Sequence, residues 1–132
     1  MRILLLACVL VACSSKPDPV PPKRPNNELI VGTYERHAPG TNAFQFTVDG
    51  NYVEAKNKGE LEHTPHLSDG TYKLEKDELT LTADQGQCSD KPDDKTGTYK
   101  IVISKIGIRF VKVNDSCEPR SHLDGQTLWR IK

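Results

Sequence analysis

The sequence is short of most features that would announce an activity. Its 132 residues carry no excess charge of either sign, with 18 Lys and Arg against 18 Asp and Glu. Loss of a short leader containing Arg2 leaves 17 against 18, which gives no basic footprint of the kind nucleic-acid binding requires. Long apolar runs are missing too. A mean hydropathy of −0.57 excludes a polytopic membrane protein. The densest apolar run, Ile3–Ala12, falls short of the roughly 20 residues that a spanning helix needs. No stretch repeats apolar residues at helical spacing. Cysteine is scarce, at four. There is no Gly-x-Ser-x-Gly, no Gly-rich phosphate loop and no pair of carboxylates in a recognisable context. The expectation is one domain that is not an enzyme, with no catalytic residue and no cofactor.

What is present begins at the N-terminus. Met1-Arg2 is followed by the apolar run and then by Cys13-Ser14-Ser15, the order of a secretory signal. Leu10-Val11-Ala12-Cys13 resembles the bacterial lipobox, an aliphatic residue, a small or apolar one, a small one and then cysteine. The resemblance implies cleavage before Cys13, lipidation of its thiol and acylation of the new amine. Two or three acyl chains suffice for stable anchoring. Ser14 after that cysteine implies an outer-membrane destination, facing the periplasm or the cell surface. Residues 13–27 follow as a proline-rich linker carrying Pro17, Pro19, Pro21, Pro22 and Pro25. Such a stretch buries too little to fold and favours extended polyproline II, so it reads as a stalk of roughly 40 Å. The division is therefore 1–12 signal peptide, 13–27 lipidated cysteine and linker, and 28–132 folded domain.

The texture then changes to short strands. Residues 29–34 are β-branched and aromatic, and 43–48 alternate so that Phe44, Phe46 and Val48 share a face. Asp49-Gly50 is a hairpin signal, and 51–55 return from it. Residues 70–74 and 78–83 pair around Lys76-Asp77, 97–103 and 106–113 follow, and 127–131 close the chain. The inward positions expected are Tyr34, Phe44, Phe46, Leu79, Leu81, Tyr99, Ile101, Ile103, Ile108, Phe110 and Trp129. Eight antiparallel strands with short turns hide their edges best by closing, and eight is the number whose interior fills with side chains or holds one small ligand. The expected fold is all-β, a small eight-stranded up-and-down barrel, with a two-sheet sandwich as the alternative.

Gly-Thr-Tyr recurs at 32–34, 70–72 and 97–99, each glycine at or near a strand start. With Gly32-Thr33-Tyr34 on the first strand and Arg130 beside Trp129 on the last, the chain resembles the lipocalin-like (calycin) barrels. Those proteins carry Gly-x-Trp at the first place, here Tyr, and a basic residue at the second that packs across it near the closed end. It is similar to the small lipocalin-like domains of bacterial lipoproteins.

Cys88 and Cys117 remain in the mature domain, and an even pair in an exported chain reads as a disulfide. Closing a loop of about 29 residues stabilises by roughly 3.5 kcal/mol. It ties the 85–95 loop to the 114–124 loop, the most loaded polar stretch, with Asp115, Glu118, Arg120, His122 and Asp124. Asp115 and Arg120 flank Cys117 and suit an ion pair that organises this loop. A sharper reading makes the loop a polar lid over a ligand mouth, with Arg120 gripping an anionic head group. The residues expected to bind a ligand on that reading are Arg120, Asp115, Tyr34, Phe46 and Tyr99. His63 and His66 stand near Glu60, Glu62 and Asp69, but Pro65 prevents a helix that would align the rings, so this reads as a solvated loop without a metal.

Three functions follow as expectations. The first is an envelope lipoprotein whose barrel binds a small apolar or amphipathic molecule, and it requires an internal cavity. The second is a protein-binding lipoprotein, such as a hydrolase inhibitor of the lysozyme-inhibitor kind, working through an exposed loop at 57–69 or 85–95 above a filled core. The third is a structural envelope component. Partners are the membrane through the anchor, and either a small hydrophobic ligand or an envelope or secreted protein, with no nucleic acid.

Overall fold

The computed structural model describes residues 24–37 and 40–131. The segment expected to be a signal peptide and most of the expected linker, with the expected lipidation position Cys13, lie outside the described residues. Eight strands run up and down in chain order: β1 Gly32–Glu35, β2 Ala43–Phe46, β3 Asn51–Ala55, β4 Ser68–Glu75, β5 Glu78–Gly86, β6 Thr96–Ile103, β7 Gly107–Asn114 and β8 Thr127–Arg130. Each pairs antiparallel with its neighbours, and β8 returns to β1 through Tyr34 opposite Arg130. The sheet is a closed antiparallel barrel of eight strands, so among the described residues no strand edge is left to template aggregation.

Alternation along the strands sets what points inward. On β6, Tyr99, Ile101 and Ile103 are buried, and on β7 Ile108 and Phe110 meet them from the facing positions. Tyr34, Phe44, Phe46, Tyr52, Tyr99 and Phe110 are each no more than 2% exposed. Their rings meet edge-on where space allows, Tyr34 on Phe46 with centroids 5.9 Å apart and Tyr99 on Phe110 at 6.0 Å. Eight strands enclose about as much space as such side chains occupy, and here they occupy it.

The turns at 47–50, 76–77 and 104–106 gather at one end, and the longer loops at the other. Gly50 serves the β2–β3 turn at φ +85°, a conformation other residues resist. Beside these turns sits α1, Asn26–Leu29, tied by Asn26 Nδ2 donating to the Lys76 carbonyl at 2.7 Å. Ile30 follows it into the core, fully buried. Arg130 locks this closed end. Its guanidinium carbon lies 4.8 Å from the centre of the Tyr34 ring, and its terminal nitrogens donate to the carbonyls of Leu29 and of Val31. Tyr34 donates its hydroxyl to the Ile30 carbonyl at 2.9 Å, and burial, countered in part by Arg130, pushes the phenol up to about 12. It therefore stays a neutral donor at any ordinary pH.

Three sequence-based expectations are corrected. The first strand was expected over 29–34 and runs over 32–35, because Leu29 and Ile30 fold over the barrel end as the close of a helix that begins within the expected linker. Val48 does not share the face of Phe44 and Phe46. The strand stops at Phe46, the turn takes Thr47 onward, and Val48 is 83% exposed. Trp129 points outward at 41% exposure, since its neighbour Leu128 takes the inward position. The other ten inward positions are buried as expected. Tyr52 and Leu128 join them.

Replacing Arg130 by Met keeps much of the apolar stem but removes the donors that hold the Leu29 and Val31 carbonyls. We expect a loss of about 1–3 kcal/mol, read as a lower urea midpoint at unchanged slope. An unchanged midpoint would show that the closed end holds without this contact.

Candidate functional site

The open end carries the chemistry. After β7 the chain reaches Asp115, turns at Cys117 and enters α2, Glu118–Ser121, which places Arg120 beneath the loop with 7% exposure. Arg120 and Asp115 form a two-pronged ion pair, Nε to Oδ2 at 2.7 Å and Nη2 to Oδ1 at 2.8 Å. The guanidinium reaches further, donating from Nη1 to the Lys95 carbonyl at 3.1 Å and from Nη2 to the Asp94 carbonyl at 2.6 Å. Tyr99 donates its hydroxyl to Asp115 and lies 3.0 Å from the Arg120 carbonyl, while the Cys117 amide donates to Asp115 at 2.9 Å. Burial works to raise the Asp115 carboxyl, but the bonds from Arg120, Tyr99 and Cys117 outweigh it and hold the group below its usual range.

Gly97 makes room for this cluster. A Cβ there would stand 2.4 Å from Asp115 Oδ2 and 2.8 Å from Arg120 Nε, so the glycine of the third Gly-Thr-Tyr admits the ion pair whose partner is its own tyrosine. Cys88 and Cys117 are joined, with Cα atoms 5.9 Å apart, and Ser116 Oγ donates to the Asp93 carbonyl at 2.8 Å. The 87–95 loop is thus stitched to the 115–126 loop by a covalent bond, a guanidinium and a hydroxyl.

Below the pair, Tyr52 and Ser68 share a hydrogen bond of 2.9 Å, and Glu54 accepts from Asn42 Nδ2 at 3.1 Å. The void bounded by Phe44, Tyr52, Glu54, Ser68 and Arg120 measures about 10 Å³, close to the smallest space that admits one water. Above it opens a cleft of about 330 Å³ lined by Arg36, Asn42, Glu54, Gln87, Glu118 and His122, among others. Glu54 is 9% exposed, and its carboxyl is raised by burial, which exceeds the opposing effects of Asn42, Arg36 and Arg120. The Nε of Arg36 is buried without a partner among the described residues.

The loop at 56–67 is ordered by its own bonds. Asn57 caps a short 3₁₀ turn, Leu61 packs on Ala43 and Ala55, and the Leu67 amide donates to the Glu54 carbonyl at 3.0 Å. His66 lies between the Leu61 carbonyl at 2.9 Å and Asp69 at 3.2 Å, whereas His63 is exposed.

Of the residues expected to bind a ligand, Arg120, Asp115 and Tyr99 come together at the open end. Tyr34 and Phe46 form a separate contact on the closed-end side. Glu54, Tyr52, Ser68, Arg36 and Asn42 also line this end, although no sequence motif marks them. The alternation in Tyr52-Val53-Glu54 held the signal, because an inward Tyr52 requires an inward Glu54. Comparison of the chain with protein-family models, with curated proteins and with solved structures found no match.

Two outcomes follow from this geometry. Arg120→Ala strands the buried Asp115 carboxylate and should lower stability by about 3–5 kcal/mol, measured by urea unfolding at neutral pH. A loss below about 1 kcal/mol would mark the pair as solvated. For Glu54 the folded state binds its proton more tightly than the unfolded chain does. Stability from this group is therefore present below the unfolded pKa, near 4.3, and falls as pH rises through the folded one. Glu54→Gln should melt above wild type at pH 8 and coincide with it below about pH 4. Parallel melting curves across that range would refute the assignment.

Proposed function

We propose that this chain is an envelope-anchored lipoprotein, lipidated at Cys13, whose barrel acts by binding rather than catalysis and takes a protein partner at its open end. The observation that carries this reading is a filled interior beneath loops that are pinned in place. Among the described residues the void inside measures about 10 Å³, which favours a site at the mouth over an apolar ligand in the interior. The 87–95 loop is held by the disulfide and Arg120, and the 56–67 loop by its cap and Leu61, so both present fixed surfaces that lose little entropy on contact. Apart from the buried Asp115–Arg120 pair, the acids Asp90, Asp93, Asp94, Glu118 and Asp124 over 87–95 and 115–126 outnumber Lys91 and Lys95, five to two. That excess suits a cationic partner, and a basic secreted hydrolase of the lysozyme kind is the class we favour. The anchor rests on the Leu10–Cys13 pattern, and an outer-membrane destination on Ser14.

The cleft of about 330 Å³ supports a second reading, in which a small amphipathic molecule sits at the mouth rather than inside the barrel. Titrating the purified protein into a lysozyme cell-wall assay separates the two. Inhibition that weakens in Glu118→Lys/Asp124→Lys supports the protein partner. Full lysozyme activity at micromolar protein, together with a reproducible extra mass in native mass spectrometry that is lost on denaturation, would replace it with the small ligand.

A further inference from the structure

Five of the six large apolar side chains left exposed among the described residues lie on one wall of the barrel. They are Val102, Ile106, Val111, Val113 and Trp129, from 41% to 69% exposed, and only Val48 stands elsewhere. The register makes four of them a continuous surface. Val102 faces Arg109 across β6 and β7, Val111 faces Lys100, and Trp129 on β8 faces Gly107, next to Ile106. Basic residues are interleaved with them. Lys100 and Arg109 are exposed on the same outward rows and Lys105 stands at the turn, while residues 96–113 contain no Asp or Glu at all. Acids stand at its borders, with Glu78 opposite Lys100, Glu35 opposite Trp129 and Asp124 accepting from the Lys112 amide at 2.9 Å. His37 stacks on Trp129 at 6.3 Å.

We propose that this wall docks on an anionic lipid surface. Tryptophan and aliphatic side chains among lysines and arginines are the composition of a membrane interface. The core of a protein–protein contact is instead depleted of lysine. Placement agrees: the chain enters the barrel beside Lys76, at the end that also carries the 104–106 turn with Lys105 and Ile106. The docking concerns a different face from the mouth and does not depend on Cys13 being lipidated.

Trp129 is the single tryptophan, so its fluorescence reports this wall alone. The experiment uses the chain from residue 13 with Cys13→Ser, so that neither the apolar leader nor an acyl chain supplies the binding, mixed with phosphatidylglycerol vesicles or phosphatidylcholine vesicles, each with and without brominated tails. The expected result is a blue shift of Trp129 emission and quenching by brominated phosphatidylglycerol, both reversed by 1 M salt. Each basic residue near such a surface is worth about fivefold in partitioning, so Lys105→Glu/Arg109→Glu should weaken it by about 25-fold or more. Thermal melting checks that this variant is folded, and if it is not, the salt and lipid comparisons on the parent chain decide alone. An unshifted emission, an equal response on both lipids, or a response to soluble polyglutamate without one to vesicles would each overturn the proposal. Lipidation itself is read separately, from the intact mass of the exported parent chain.

Discussion

Two arginines close this barrel, one at each end, and the rest of the structure is arranged around what they require. An eight-stranded tube has no edges but it does have two mouths, and each mouth exposes backbone carbonyls where strands stop and loops begin. Arg130 lies on the Tyr34 ring and donates to the Leu29 and Val31 carbonyls, which fastens α1 and Ile30 over one opening. Arg120 donates to the Asp94 and Lys95 carbonyls at the other, with Asp115 balancing its charge. A planar fork of donors suits this task, because carbonyls set apart at different angles can be satisfied by one rigid group, whereas a lysine's three donors share a single nitrogen. In both places a tyrosine from a Gly-Thr-Tyr unit, Tyr34 or Tyr99, is the inward partner.

Closing the mouths this way has a consequence for the interior. Tyrosines long enough to reach the arginines fill the tube they cross, so the residues that seal the ends also occupy the volume a ligand would need. Tyr52 and Ser68 take the remaining width with a hydrogen bond, and Glu54 is left as a carboxyl in poor solvent at the threshold. A buried ion pair is weak evidence for stability as such, since an apolar replacement of equal volume often does as well. Here it fixes which carbonyls the two loops present to each other, and the disulfide holds the same two loops covalently.

Most strands were legible in the sequence because one face of each is buried and the other is wet, which writes the register as alternation. Ala43 to Phe46 and Thr96 to Ile103 read that way almost residue by residue. Trp129 misled for a simple reason: hydrophobicity alone favoured the core, but alternation gives that place to Leu128. The start of the domain misled for another, as β-branched residues before Gly32 suit a strand yet serve as a plug. At the site, the Asp115–Arg120 pair was legible because five residues separate its members. The carbonyls of Asp94 and Lys95, some 25 residues away in sequence, were not, since backbone acceptors leave no trace in residue identity.

Net neutrality conceals a segregated surface. Residues 96–113 hold Lys100, Lys105, Arg109 and Lys112 with no acid, whereas the loops at 87–95 and 115–126, apart from the buried Asp115–Arg120 pair, hold five acids to two bases. Fields of opposite sign on a molecule this small cancel at a distance and persist only within about a Debye length, roughly 8 Å at physiological salt. Each patch therefore acts on what touches it and contributes little to long-range steering. On the readings proposed above, this lets one small barrel meet an anionic surface along its β6–β8 wall and a cationic partner at its open end without either patch masking the other.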